Sequence, residues 1–339
     1  PFFLWVAFPK PATPYTCPQH LVDKYDPDAM PAPWTSDHDG FARNPQYNAH
    51  FVNNDLHLLS DTARRMIRAN YYANVTFIDE EVGRILESLA RRGLDGETLV
   101  VFTSDHGDLM GDHYQFFKKF GYEGSLRVPL IVRRPGVVPA GTRVEGMANL
   151  TDLYATLLTH AGVDFPRDEH APACSDDLLN WIAAPGAARE TTFAENGNPP
   201  HYKLYVRSAG WKYIWFQHGG YEELYRLADD PHELTDLAGE TDFADIKESL
   251  RQAAAEWIER CGDPMVALDD AGELRVEAFE EQNLRHFGRA HLTRPFSRMP
   301  WQARYPDVCV DENQRSWWWR ACGGDFSQLI AYARSKAER

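Results

Sequence analysis

Asp105 and His106 stand side by side in the string SDHGD, directly after an apolar run at 99–103. A carboxylate next to an imidazole can give one oxygen and one nitrogen to a divalent cation. Gly107 follows and permits a tight turn. Read alone, SDHG fits equally well an ordinary turn in which His106 packs on Asp105. Thirteen residues after Asp105 comes the pair Lys118 and Lys119. By themselves the two lysines read as solvated surface charge, and nothing local chooses between them. His113, between Asp105 and this pair, divides evenly between orienting a ligand from behind and being a satisfied loop histidine.

The elements that must position these residues are legible from periodicity. Ile67, Tyr71, Val75, Ile78, Val82 and Ile85 recur at three- and four-residue steps, which predicts a long amphipathic helix over about 60–92, stopped by Gly93. The apolar run 99–103 then predicts a buried strand whose end delivers SDHGD into a loop. Helix, short loop, strand, functional loop is the grammar of an α/β sheet, in which ligands bind beyond the carboxyl ends of strands. A second strand is expected at 128–132, and a helix over 151–161 with Thr151 or Asp152 as N-cap and Gly162 as its stop. KLYVRS, WKYIWF and EELYRL, separated by turns, predict a small antiparallel meander, with a helix over 243–260 packed on it. The opening run 2–8 reads as a buried strand, and 9–54 as a long irregular segment rich in Pro, Asp and aromatics.

At 339 residues, 43% hydrophobic and 13% aromatic, the chain can fill more than one core. A net charge of −15 without clustered Lys and Arg argues against a nucleic-acid partner. An anionic ligand must therefore be drawn to a local cation, which a bound metal would provide. Five scattered cysteines, Cys17, Cys174, Cys261, Cys309 and Cys322, lack zinc-site spacing and favour free thiols over a disulfide framework. With no run of about 18 apolar residues, no membrane contact is expected, and the thiols favour a cytoplasmic location with a periplasmic one as the alternative.

The stretch from Val100 to Val132 resembles the type I sulfatases and phosphonate monoester hydrolases of the alkaline phosphatase superfamily. In these, a strand ending in DHG or DNG is followed by G-[DE]-H, a lysine, Y-E and R-V-P-L. The matches are Gly111–His113, Lys118, Tyr122 with Glu123, and Arg127–Leu130. The likeness continues through TDLYATLLTHAGV, GWKYI and ELYRLADDPHELTDLA, over roughly 1–260. It implies a large mixed β-sheet sandwiched by helices, over 1–200 as the remainder of the catalytic α/β domain. A smaller antiparallel sheet with a helix at 201–262 and an extended tail at 263–339 complete the division.

Carried over residue by residue, the resemblance makes Asp105 and His106 two ligands of one divalent metal and Lys118 the catalytic contact to the transferred sulfate or phosphate. The hard, carboxylate-rich site implies Ca²⁺, with Mn²⁺ or Mg²⁺ as alternatives. His113 is a substrate-binding or ligand-orienting position. Arg127 and Glu123 are expected to form an ion pair near the site. The implied activity is hydrolysis of sulfate esters, and possibly of phosphonate or phosphate monoesters, on a small anionic substrate.

The sequence departs from the family pattern in two places. The family's nucleophile is a formylglycine made from the first residue of C-x-P-S-R or S-x-P-S-R, which is expected upstream of this chain together with two further carboxylate ligands. No cysteine here lies in such a motif. Where the family has D-P-H-x-P after the opening strand, this chain reads KPATP with Ala12 in the histidine's place, and an alanine transfers no proton. General acid help is worth about 10²–10⁴ in rate, and Lys10 or His20 would have to supply it instead. These departures motivate the alternative of a non-catalytic, sulfatase-like binding or structural protein. In the tail, Trp301, Trp317, Trp318 and Trp319 interleave with arginines, the composition of an interface hot spot, and suggest a homo-oligomer built through that segment.

Overall fold

The computed structural model describes residues 1–35, 44–47, 50, 59–163, 175–197, 201–208, 210–261, 268–269 and 271–278. Helices α1 to α6 are Gln19–Val22, Asp61–Arg91, Glu123–Leu126, Asp152–His160, Leu178–Ala183 and Ala244–Cys261. Strands β1 to β6 are Val100–Thr103, Leu130–Arg133, Thr191–Asn196, Lys203–Ser208, Trp211–Phe216 and Glu222–Arg226. The chain divides into two compact units. One contains Pro1–Asp95 and Asp108–Phe117, and the other contains Gly96–Gly107 and Lys118–Glu280.

The first unit is organised by α2. Ser60 caps it, its hydroxyl accepting from the Ala63 amide at 3.1 Å, and Gly93 ends it at φ +66°, a left-handed stop that a side chain would resist. Ala63 and Ile67 pack with Tyr15, Leu59, Met110 and Phe116. Two asparagines lie on the buried face, and each donates to the carbonyl four residues earlier, Asn70 to Met66 at 2.9 Å and Asn74 to Asn70 at 2.8 Å. Burial of these amides therefore leaves their donors satisfied.

In the second unit β1 and β2 pair antiparallel, Val100 opposite Arg133 and Thr103 opposite Leu130. Strands β3 to β6 form an antiparallel sheet in that order. The expected meander is present, with β3 added at its edge. Leu250, Ala254 and Ile258 of α6, at four-residue steps, bury against Leu204, Val206, Tyr213 and Trp215. Each fully buried aliphatic side chain contributes about 1.5–3 kcal/mol. No helix among the described residues is long and apolar enough to cross a membrane.

Two local expectations need correction, and a third is met in part. Residues 2–8 form no strand, and their apolar side chains face solvent, Phe3 being 72% and Trp5 70% exposed. A strand needs a neighbour for its backbone groups, and none lies beside this run among the described residues. The α4 N-cap falls on Thr151 as expected, but its side chain does no capping. Thr151 has helical angles, while the buried Asp152 carboxylate accepts from the amides of Asn149 and Asp176 and pairs with Arg189. Glu123 pairs with Lys212 at 2.9 Å rather than with Arg127, because the sheet delivers an ammonium directly to it. The tail at 281–339, with its tryptophans, lies outside the described residues, as do Cys174, Cys309 and Cys322.

Candidate active site

The DHG turn begins where β1 ends. Ser104 Oγ donates to the His106 carbonyl at 2.8 Å, and the His106 amide donates to Asp105 Oδ1 at 3.0 Å. His106 Nδ1 lies 2.7 Å from the Gly107 carbonyl. A carbonyl only accepts, so Nδ1 carries the proton and Nε2 keeps its lone pair when the ring is neutral. That lone-pair nitrogen sits 3.4 Å from Asp105 Oδ2. The Asp105 side chain is 80% exposed and that of His106 27%. The imidazole is thus fixed from behind by a backbone carbonyl and presents nitrogen beside a carboxylate, which is how a histidine is prepared for a cation. The pair fits two ligands of a hard divalent ion. Among the described residues, no group of three or more His, Cys, Asp or Glu forms such a site.

Gly107 holds the turn against the chain that follows it in space. Its amide donates to the Ser125 carbonyl at 2.8 Å, and a Cβ at this position would stand 2.2 Å from the Gly124 carbonyl oxygen. Glycine is required here by close approach. The Gly124–Ser125 backbone belongs to α3, which the motif Tyr122–Glu123 opens. Behind it, Lys212 Nζ, with a side chain 0% exposed, lies 2.9 Å from Glu123 Oε1 and 2.7 Å from Glu233 Oε1. Glu233 Oε2 also accepts from the Glu123 amide at 2.6 Å. Burial pushes the Glu123 carboxyl up, but Lys212, with Arg207 and Arg127, outweighs it and holds the group below the usual range. Glu233, more deeply buried and sharing Lys212 with a second carboxylate, is held above that range.

Lys118 and Lys119 are exposed on this same unit. Lys118 makes no hydrogen bond or ion pair among the described residues, so its ammonium remains available to an anion, while the structure does not bring it onto Asp105 or His106 by a direct bond. Lys119 lowers the pKa of a buried neighbour, Lys203, whose Nζ sits 5.6 Å over the Phe120 ring and 6.0 Å over Phe216. Burial first, and then the Lys119 charge, pushes Lys203 down to about 7.

His113 belongs to the other unit. It sits at φ +52° in a turn where Met110, Tyr114 and Phe117 also take positive φ, and its amide donates to the Trp34 carbonyl at 2.8 Å. Such non-glycine angles persist only where neighbours enforce them. Arg68 supplies part of that enforcement, donating to the Met110 carbonyl at 2.8 Å and to Asp112 at 3.1 Å. Asp108 supplies another part: Oδ1 accepts from the amides of Met110 and Phe117, and Oδ2 from Tyr15 at 2.7 Å. In the same unit Lys10 bonds the Pro14 carbonyl and, at 3.1 Å, Thr16. Burial lowers its pKa.

Sequence reasoning missed Arg68, Asp108, Lys212 and Glu233. Asp108 was visible as the second acidic residue of SDHGD. Lys212 stands as a charge inside the apolar run WKYIWF, but nothing in that run names its partners.

Comparison with known proteins places these motifs. A Sulfatase family model matches residues 1–163, and a model for the C-terminal part of N-sulphoglucosamine sulphohydrolase matches residues 111–260. An arylsulfatase of Clostridium perfringens is 30% identical over 268 residues, covering 76% of this chain and 54% of that protein. A structure solved in complex with D-glucosamine-2-N,6-O-disulfate, described as its substrate, is 27% identical. It covers 60% of this chain and 42% of that one, with a TM-score of 0.56. A phosphonate monoester hydrolase from Silicibacter pomeroyi shares the fold at 21% identity, covering 79% of this chain and 58% of that one, with a TM-score of 0.67. The chain spans about half the length of the curated relatives it matches.

Proposed function

The chain belongs to the type I sulfatase family, and on that premise we propose that it forms part of a metal-dependent hydrolase of sulfate esters, with phosphonate or phosphate monoesters as further substrates. The observation that carries this reading is the His106 tautomer: Nδ1 is committed to the Gly107 carbonyl, and Nε2 is presented beside Asp105. Asp105 and His106 are then two ligands of Ca²⁺, or of Mn²⁺ or Mg²⁺. The metal, when bound, acts as a Lewis acid on an ester oxygen.

The chain's own residues do the rest of the holding. Asp105 and His106 fix where the anion must sit, and the Lys118 ammonium meets the negative charge that grows on the transferred group and leaving oxygen. Overall, water adds to sulfur, the S–O bond to the alcohol breaks, and the alcohol leaves with a proton. The formylglycine nucleophile and the remaining carboxylate ligands are assigned outside these residues, since no cysteine here lies in C-x-P-x-R. Residues 1–200 are assigned to the catalytic α/β domain, 201–262 to the small antiparallel sheet and helix, and the tail at 263–339 to a homo-oligomeric contact.

The test uses an aryl sulfate and calcium. The protein carrying the nucleophile segment is expected to turn over the ester and to lose that activity with Asp105→Ala. The 339-residue chain alone is expected to bind calcium weakly and to show no turnover. Chelator-sensitive turnover by the chain alone would remove the nucleophile assignment. Full activity of the Asp105→Ala protein would remove the metal assignment.

A further inference from the structure

Lys212 and Glu233 are buried behind the DHG turn, and Glu123 is half-buried beside them. Lys212, Glu123 and Glu233 meet within 2.9 Å, and Arg207 Nε lies 3.5 Å from Glu123 Oε1. A buried ion pair adds little net stability over apolar residues of the same volume, because desolvation offsets most of the attraction. Stability therefore gives no sufficient reason for charge at this place, and fixed geometry does.

The geometry leads to the candidate metal ligands in three steps. Glu233 takes one oxygen to the Glu123 amide, at the first residue of α3, and the other to Lys212, which grips the Glu123 carboxylate. The opening of the helix is thereby held at both its backbone and its side chain. The next two residues, Gly124 and Ser125, present their carbonyl groups to Gly107, one as a wall 2.2 Å from where a Cβ would be and the other as the acceptor of its amide. Gly107 in turn offers its own carbonyl to His106 Nδ1. No flexible side chain intervenes between α3 and Gly107, so a displacement of α3 reaches the imidazole through backbone alone.

We propose that Lys212 and Glu233, together with Glu123, are positioning residues for Asp105 and His106. They fix α3, and α3 seats the turn that aims both ligands. The role in catalysis rests on the sulfatase reading above; the role in holding the turn does not. Lys212 lies on β5 and Glu233 beyond β6, so the antiparallel sheet serves the DHG loop as its anchor as well as carrying its own core.

The test compares wild type with Lys212→Met, Lys212→Arg and Glu123→Gln in the full-length protein. Lys212→Met is expected to exchange the Gly107 amide hydrogen at least about tenfold faster, the sign of a loosened turn. Calcium affinity should fall about ten- to a hundredfold, as for other lost outer partners of metal ligands. Turnover should lose kcat with KM little changed, and Lys212→Arg should restore most of all three. Wild-type exchange at Gly107 and wild-type calcium affinity in both Lys212→Met and Glu123→Gln overturn the proposal. If Lys212→Met does not fold, Glu123→Gln, which keeps volume and weakens only the charge pairing, decides by the same readouts. Hydrogen exchange needs neither metal nor turnover. A wild type that binds no calcium would sink the sulfatase reading alone, and normal Gly107 exchange in the variants of an active enzyme would sink the positioning role alone.

Discussion

Asp105 and His106 face each other across 3.4 Å, with the second nitrogen of the imidazole tied to the Gly107 carbonyl at 2.7 Å. A neutral imidazole held in this way has one free lone pair, and it points to the side of the ring where the carboxylate waits. Asp105→Ala and His106→Ala are each expected to weaken calcium binding by at least about tenfold, read by titration calorimetry. Elemental analysis of the intact protein should find calcium, manganese or magnesium. Stoichiometric zinc would contradict the hard-ion assignment, since one imidazole with carboxylates lacks the thiolates or multiple histidines zinc prefers.

Of the two adjacent lysines, only Lys118 is expected to matter to chemistry. Lys118→Ala should lower kcat by about 10²–10³, the loss typical of a removed donor to transition-state charge. Lys119→Ala should leave kcat within a few-fold of wild type. Equal losses in the two variants, measured with the same aryl sulfate, would mean that the sequence spacing chose wrongly between them.

Gly107→Ala is expected to destabilise the fold by about 1–3 kcal/mol, because the added methyl has no space and the opposing atom is backbone. Chemical denaturation gives the stability. The calcium affinity of the folded fraction should fall as well, and an alanine variant with wild-type values for both would show that the two turns can part freely.

Lys203 makes a pH-dependent contribution with a definite sign. Its ordinary value is 10.5, while burial and Lys119 push it down to about 7 in the folded protein. Between those limits the unfolded chain holds a proton that the folded chain has released, so stability rises with pH from about 7 towards 10. In Lys203→Met this contribution is absent. Other groups titrate in both proteins, so the difference between their stability curves is the readout, and parallel curves from pH 7 to 10 would contradict the assignment.

Deleting 263–339 is expected to reduce the mass of the intact protein in solution, measured by light scattering. The expectation comes from the Trp and Arg content of the tail. A wild type that is already monomeric, or a deletion that leaves the oligomer unchanged, would rule the interface out.

Periodicity made α2 and the meander legible, because each presents one repeating apolar face over many residues. The run 2–8 misled for the opposite reason: apolar composition says that a segment needs cover without saying what covers it. The buried charges were hidden by the sheet itself. In β4 and β5 neighbouring residues on both faces are buried, so the alternation that would mark Lys203 and Lys212 as facing inward is lost. Asp105 and His106 stood out because two ligand types followed an apolar run. Lys212 and Glu233 could not, since they lie about 90 and 110 residues beyond Glu123 and only the fold brings them to it.

The pairing of β1 with β2 gives the region between them the status of an exchangeable cassette. Thr103 stands opposite Leu130, so residues 104–129, which contain Asp105, His106, His113 and Lys118, leave and return through one narrow gate. Joining the ends of a loop of this length costs about 3 kcal/mol in chain entropy, and the strand ladder meets that cost before any ligand arrives. The segment can therefore be transplanted as a unit, with its two feet already set at the spacing the scaffold dictates. A graft of 104–129 between relatives should be accepted where the host keeps Lys212 and Glu233 for Glu123, Tyr15 for Asp108 and Arg68 for Asp112, and refused where it does not.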